Sequence, residues 1–166
     1  MRFEVLSLDH IPALFQFEQL NKEWFESLIE PRVEAFYSPD GIATHISDYL
    51  EAAKQRRSYS VLLLEGSEVL ARGNLKAISG HTAQVGYRVA ENHGSKGLAG
   101  MCLSHLISEA KNTYKLNELQ ARVLENNPAS LRVLQKQGFV QFESLPGFVD
   151  IQGKSLDCVG LRKTLL

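Results

Sequence analysis

Cysteine is scarce in this chain of 166 residues, and the two it has build no framework. Cys102 and Cys158 lie far apart, with no His or Cys at zinc-like spacing, so neither a disulfide scaffold nor a metal site is expected. An excess of one charge is missing too. Lys and Arg number 18 against 19 Asp and Glu, a formal net charge of −1, so no general basic field draws the chain to nucleic acid or acidic lipid. The one short basic run, Lys54-Gln55-Arg56-Arg57, falls on a helical stretch and reads as a solvated face. Long apolar runs are also absent, and no segment approaches a membrane span. The N-terminal stretch Met1 to His10 lacks the apolar core and small-residue cleavage site of a signal peptide. The expectation is a cytoplasmic protein with no nucleic acid, membrane or metal partner.

What remains is an ordinary globular mixture, 44% hydrophobic and 22% charged, and at this length it predicts one domain over residues 1–166. Phe3 to Leu6 reads as a short strand. From Ile11 to about Glu30, Leu14, Phe15, Phe17, Leu20, Trp24, Phe25, Leu28 and Ile29 recur at helical spacing, with Asn21 as a break. Ser38-Pro39-Asp40-Gly41 reads as loop, and Thr44 to Gln55 as a third helical segment. Tyr59 to Leu64, Val69 to Ile78 and Thr82 to Val89 are strand-like and separated by short turns, which implies an antiparallel meander. Ala99 to Ala110 is an amphipathic helix and Glu118 to Leu124 a strand, a strand–helix–strand crossover that places its two strands parallel. Pro128 to Gln137 is a helix closed by Gly138. Phe139 to Glu143 and Leu156 to Leu165 are closing strands, with Glu143 to Gly153 read as a loop. The fold class is α+β, with a mixed, mostly antiparallel sheet flanked by helices. A final strand left at the sheet edge would offer a second copy a pairing surface and so a homodimer.

The turn Asn92-His93-Gly94-Ser95-Lys96-Gly97-Leu98-Ala99-Gly100 joins the meander to the crossover helix. Glycines there free successive backbone N–H groups, and with the helix's positive end they suit a phosphate or pyrophosphate. A P-loop string is absent, and a dinucleotide fingerprint would follow an early parallel strand rather than a meander. By itself the turn is equally consistent with a structural helix start.

A second motif, Asn127-Pro128-Ala129-Ser130-Leu131-Arg132-Val133-Leu134-Gln135-Lys136-Gln137-Gly138-Phe139, follows the next strand. With Tyr87-Arg88-Val89-Ala90 and the Gly-rich turn, it resembles the GCN5-related N-acetyltransferase (GNAT) family. Within the family it is most similar to the RimJ/RimL-like branch that includes the ribosomal-protein alanine acetyltransferases. The likeness spans essentially the whole chain and is tightest from about Gln84 to Phe139. It implies two parallel strands that splay apart to make a cofactor cleft. Acetyl-CoA would pair with backbone near Val89, take N–H groups from Ser95, Lys96, Gly97, Leu98, Ala99 and Gly100, and contact Asn127. At Gly94 the family usually has Gln or Arg, so one side-chain support of the cradle is missing.

The implied chemistry is direct attack of a primary amine, a protein N-terminus or a small molecule, on the thioester in a ternary complex. No covalent intermediate is needed, only a proton for the departing thiolate and a base for the amine. Many members carry a Tyr acid where this chain has Leu134, so the resemblance moves that role to Ser130, one turn back on the same helix face. A plain first-turn serine is the alternative, and for Asn127 the alternative is an N-cap ahead of Pro128. Glu18 and Asp150 are the candidate bases, with exposed surface carboxylates as the competing reading. A non-catalytic acyl-CoA-binding module and a cofactor-free partner-binding domain are the rival functions.

Overall fold

The computed structural model describes every residue from Met1 to Leu166. Seven strands form one sheet: β1 (Arg2–Val5), β2 (Tyr59–Glu65), β3 (Glu68–Ser79), β4 (Thr82–Val89), β5 (Glu118–Leu124), β6 (Val140–Ile151) and β7 (Lys154–Thr164). Their order across the sheet is β1-β2-β3-β4-β5-β7-β6. Every neighbouring pair is antiparallel except β4 and β5, which run parallel because α4 (Leu98–Asn112) crosses between them.

Strand alternation gives the sheet two apolar faces, and helices cover both. On one face Leu62, Leu64 and Val69 meet Leu14 and Phe17 of α1 (Ile11–Leu20) and Ile42 and Ile46 of α3 (Pro39–Lys54). Phe25 of the short helix α2 (Lys22–Glu26) joins them. On the other face Leu75, Ala83, Val85, Leu119 and Ala121 pack on Leu103, Leu106 and Ala110 of α4 and Leu134 of α5 (Pro128–Lys136). No helix is long and apolar enough to cross a membrane.

Three expectations need correction. Ser38 to Gly41 is the start of α3 rather than a loop: Ser38 Oγ accepts from Gly41 N at 2.9 Å and Pro39 occupies the first turn. Glu143 to Gly153 is no loop either, since β6 runs on to Ile151 through two register shifts. An edge strand tolerates Pro146 because its outward N–H needs no partner, and Gly147, at φ 58°, donates to Asp157 Oδ1 at 2.8 Å. The final strand β7 is therefore interior, between β5 and β6, and the sheet's edges are β1 and β6.

Candidate active site

β4 and β5 pair over three residues only, Thr82 with Glu118, Ala83 with Leu119 and Gln84 with Gln120. Beyond Gln84, β4 stays hydrogen-bonded to β3 as far as Val89, while β5 stays paired with β7 as far as Leu124. The parallel strands thus diverge into a wedge that opens toward their C-terminal ends.

The Gly-rich turn lies at one lip of that wedge. None of the backbone N–H groups from Ser95 to Gly100 donates to a protein acceptor, and the first helical bond at this end runs from Met101 N to Gly97 O at 3.1 Å. Ser95 (φ 63°) and Gly97 (φ 78°) adopt left-handed conformations that bend the chain, and Ser95 to Gly97 are exposed. Leu98 turns its side chain into the core and can offer only its N–H. Lys96 Nζ lies 3.3 Å from His93 Nδ1, whose ring also reaches Glu68 at 3.3 Å. Six free donors at the positive end of a fifteen-residue helix fit a pyrophosphate group.

On the opposite lip, Asn127 caps α5: its Oδ1 accepts from Ser130 N at 3.2 Å, with Pro128 next to it. Ser130 Oγ lies 3.0 Å from the Tyr87 hydroxyl, and Tyr87 also approaches the Ser130 carbonyl at 3.3 Å. Because Tyr87 belongs to the diverged part of β4 and Ser130 to the helix after β5, this contact spans the wedge. Burial raises the Tyr87 phenol above its ordinary value, with the Ser130 bond acting the other way, so it stays protonated at neutral pH. Leu134, by contrast, is sealed into the core. Across the other face, Asn126 Nδ2 donates to Ser27 O at 2.8 Å and ties the β5–α5 loop to the segment after α2. Burial pushes the Cys102 thiol up to about 12, which leaves it no thiolate to attack with.

Glu18 is not a surface carboxylate. It is 1% exposed, and its oxygens meet Arg72 Nη1 at 3.3 Å and Arg88 Nη1 at 3.1 Å. Arg72 and Arg88 are direct cross-strand partners on β3 and β4, a like-charge pairing that Glu18 bridges. Burial lowers Arg72 to about 10 even so, and it remains charged at pH 7. Arg32 stacks on Phe36 at 4.3 Å and belongs to the same neighbourhood. His45 sits between Phe36 and Tyr49. Burial first, then Arg72, Arg32 and Arg88, push His45 down to about 2, so it is neutral. Arg32, Arg72 and His45 were not singled out from the sequence, and Arg88 entered only as part of the string Tyr87-Arg88-Val89-Ala90. Arg72, inside the apolar run Val69 to Leu75, was the available signal, because a buried strand seldom carries a charge without a reason.

Asp150 is exposed on β6, opposite Ser155 and just before the hairpin turn. Pairing of Leu124 with Cys158 puts that hairpin at the end of the sheet where the wedge opens. A concavity of about 500 Å³, lined by Asp48, Tyr49, Arg57 and Lys76 among others, lies at the opposite end, by Ser79. It is remote from the wedge.

The description "Acetyltransferase (GNAT) domain" belongs to the family model that matches residues 1–140. The probable N-acetyltransferase YjcK of Bacillus subtilis (strain 168) is 27% identical over 124 residues, 72% of this chain and 68% of its own. Among solved structures, the ribosomal-protein-S5-alanine acetyltransferase from Vibrio fischeri superposes with a TM-score of 0.92 at 17% identity, covering 98% of this chain and 91% of that one. RimJ of Mycobacterium smegmatis, solved with CoA-disulfide, gives 0.88 at 16% identity over 98% and 80%. With most of its length matched by the family model and its sheet built around a splayed parallel pair, the chain belongs to the GNAT acetyltransferase family and is an acyltransferase.

Proposed function

We propose that residues 1–166 form a single N-acetyltransferase domain that moves the acetyl group of acetyl-CoA to a primary amine by direct attack in a ternary complex. The observation that carries this reading is the run of unpartnered N–H groups from Ser95 to Gly100 beside the β4–β5 wedge. Ser95, Lys96, Gly97, Leu98, Ala99 and Gly100 would hold the pyrophosphate through backbone donors. The unpaired edge of β4 near Val89 would pair with the amide-bearing arm, and Asn127, with its amide NH₂ free, would bond the cofactor or the acceptor. Acetyl-CoA supplies the activated acyl group.

The chain's own residues divide the remaining work. Either hydroxyl can donate across the Tyr87–Ser130 contact; in the arrangement where Tyr87 donates to Ser130 Oγ, the Ser130 hydrogen is free to point into the wedge, where a departing thiolate would take it. Tyr87 positions Ser130 and resupplies the proton. Glu18, whose carboxylate is taken up by two guanidiniums, is assigned an anchoring role instead of the base. Asp150, with no side-chain partner at the open end of the wedge, is the carboxylate we assign to deprotonating the amine, directly or through water. A protein N-terminal amine is one acceptor class, and it is supported by the name of the Vibrio fischeri relative.

The test is a screen for free-thiol release from acetyl-CoA across small amines and N-terminal peptides. Turnover with at least one amine is expected. CoA binding without release in any arm would overturn the enzymatic reading and leave a binding module.

A further inference from the structure

Three guanidiniums, Arg32, Arg72 and Arg88, gather on the α1–α3 face of the sheet, and Glu18 is the one carboxylate ion-paired with any of them. Two positive charges are therefore uncompensated in a largely desolvated place. Arg72 is the sharpest case. It is 1% exposed, yet only Nη1 has a partner, while Nε and Nη2 are buried and unbonded. Arg32 Nε and His45 Nε2 in the same cluster are likewise buried without partners. A guanidinium stripped of water with two of its three nitrogens unpaired is costly, and a like-charge cross-strand pair adds to the cost. An arrangement of this kind is complete only when an anion fills it, since planar guanidinium groups match carboxylate and phosphate oxygens.

Position says which anion. Arg88 immediately precedes Val89 on the unpaired edge of β4, and its side chain faces away from α4 and the Gly-rich turn, toward Glu18 and Phe25. The cluster is thus on the other side of the sheet from the pyrophosphate cradle and next to the wedge where the acyl group would lie. Arg32, Arg88 and His45 keep part of their surface exposed, which places the edge of the cluster at the surface of the protein.

We propose that Arg32, Arg72, Arg88 and His45 form an acceptor subsite for an anionic group, a carboxylate or a phosphate, carried by the amine that is acetylated. The proposal rests on the N-acetyltransferase reading for the word acceptor, and on the unpaired donors alone for the anion. Arg72 and Arg88 would take the anion's oxygens from the strand side, with Glu18 fixing both. Arg32, stacked on Phe36, would close over it from the segment before α3. His45, neutral, would donate from Nε2 and add no charge.

Matched acceptor pairs, equal except for the anion, test this: glutamate against its diamide, O-phosphoethanolamine against ethanolamine, and an Ala-Glu-initiated peptide against Ala-Gln. Thiol release is followed in each, and the preferred pair tells carboxylate from phosphate and small molecule from peptide. The anionic member is expected to win by roughly tenfold or more in kcat/KM, the scale of one charge-assisted hydrogen bond. In Arg32→Gln, chosen because the side chain is partly exposed, that preference should collapse through KM. Equal use of charged and neutral members, or an unchanged ratio in Arg32→Gln, would overturn the subsite. A second readout is independent of turnover: thermal stabilisation of the full chain by inorganic phosphate and by acetate at constant ionic strength. Stabilisation by either anion that is lost in Arg32→Gln supports the site even where no amine reacts, and in that case it is the transferase reading that fails. No anion stabilisation and no anionic preference sinks the site itself.

Discussion

Glu18 shows how burial decides what a carboxylate does. On the sequence alone it was a candidate base or a surface acid; the fold pairs it with two guanidiniums, Arg72 fully buried and Arg88 partly so. Glu18→Ala is expected to lower stability by about 3–5 kcal/mol, because it leaves uncompensated buried charge, and urea unfolding measures the loss. Full stability with only a lower rate would return Glu18 to the role of base. Ser130 makes the complementary case. Ser130→Ala should reduce kcat by roughly 100-fold and Tyr87→Phe by less, with stabilisation by CoA retained in both, since neither supplies a backbone donor to the cradle. Undiminished turnover in Ser130→Ala would move the acid elsewhere. Ser130 was legible because it sits in a motif. Tyr87 as its partner was not, because the two lie 43 residues apart and meet only across the wedge.

At the scale of elements, periodicity and punctuation placed α1, the meander, β5 and α5 within a residue or two of their observed ends. The failures lay where turn residues serve another purpose. Ser38-Pro39 caps a helix, and Pro146-Gly147 sits in a bulged edge strand, yet both dipeptides have the composition of loops. The Ser38 cap on Gly41 decides the first case and pairing with β7 the second, and composition alone distinguishes neither from a loop. The cradle allows a sharper test of local geometry. Gly97 is left-handed with open space around its Cβ position, so Gly97→Ala pays only the backbone cost, about 1–2 kcal/mol, and should also weaken CoA binding as the turn relaxes. Gly94 is different: at φ −62° and ψ 158° any residue fits, and a Cβ would meet nothing nearer than Glu91 O at 3.4 Å. Gly94→Gln should fold normally and tighten CoA roughly two- to tenfold by restoring a side-chain donor. Calorimetric titration of both variants checks the pair, and a destabilised Gly94→Gln would show that this lip is packed more tightly than it looks.

For the molecule as a whole, the proposed reading puts cofactor chemistry and acceptor recognition on the two faces of one sheet, and the face that holds His45 carries a proton-linked liability. His45 is surrounded by Arg32, Arg72, Arg88 and Lys76, with Tyr49 and Phe36 against its ring. Its folded value is pushed down to about 2, whereas an unfolded histidine titrates near 6.5. Between those values the unfolded chain holds a proton that the folded chain does not. Stability linked to His45 is therefore fully present above about pH 6.5 and is lost progressively as pH falls toward 2. His45→Gln keeps a polar side chain without the titration, so its urea midpoint should change less than wild type between pH 7 and 4.5 in phosphate-free buffer. Acid sensitivity from every other group is common to both proteins, so the difference between the two curves isolates the histidine. Parallel curves would mean that His45 accepts a proton in the folded state, and then the cationic neighbourhood would be less closed to water than its unpaired donors imply.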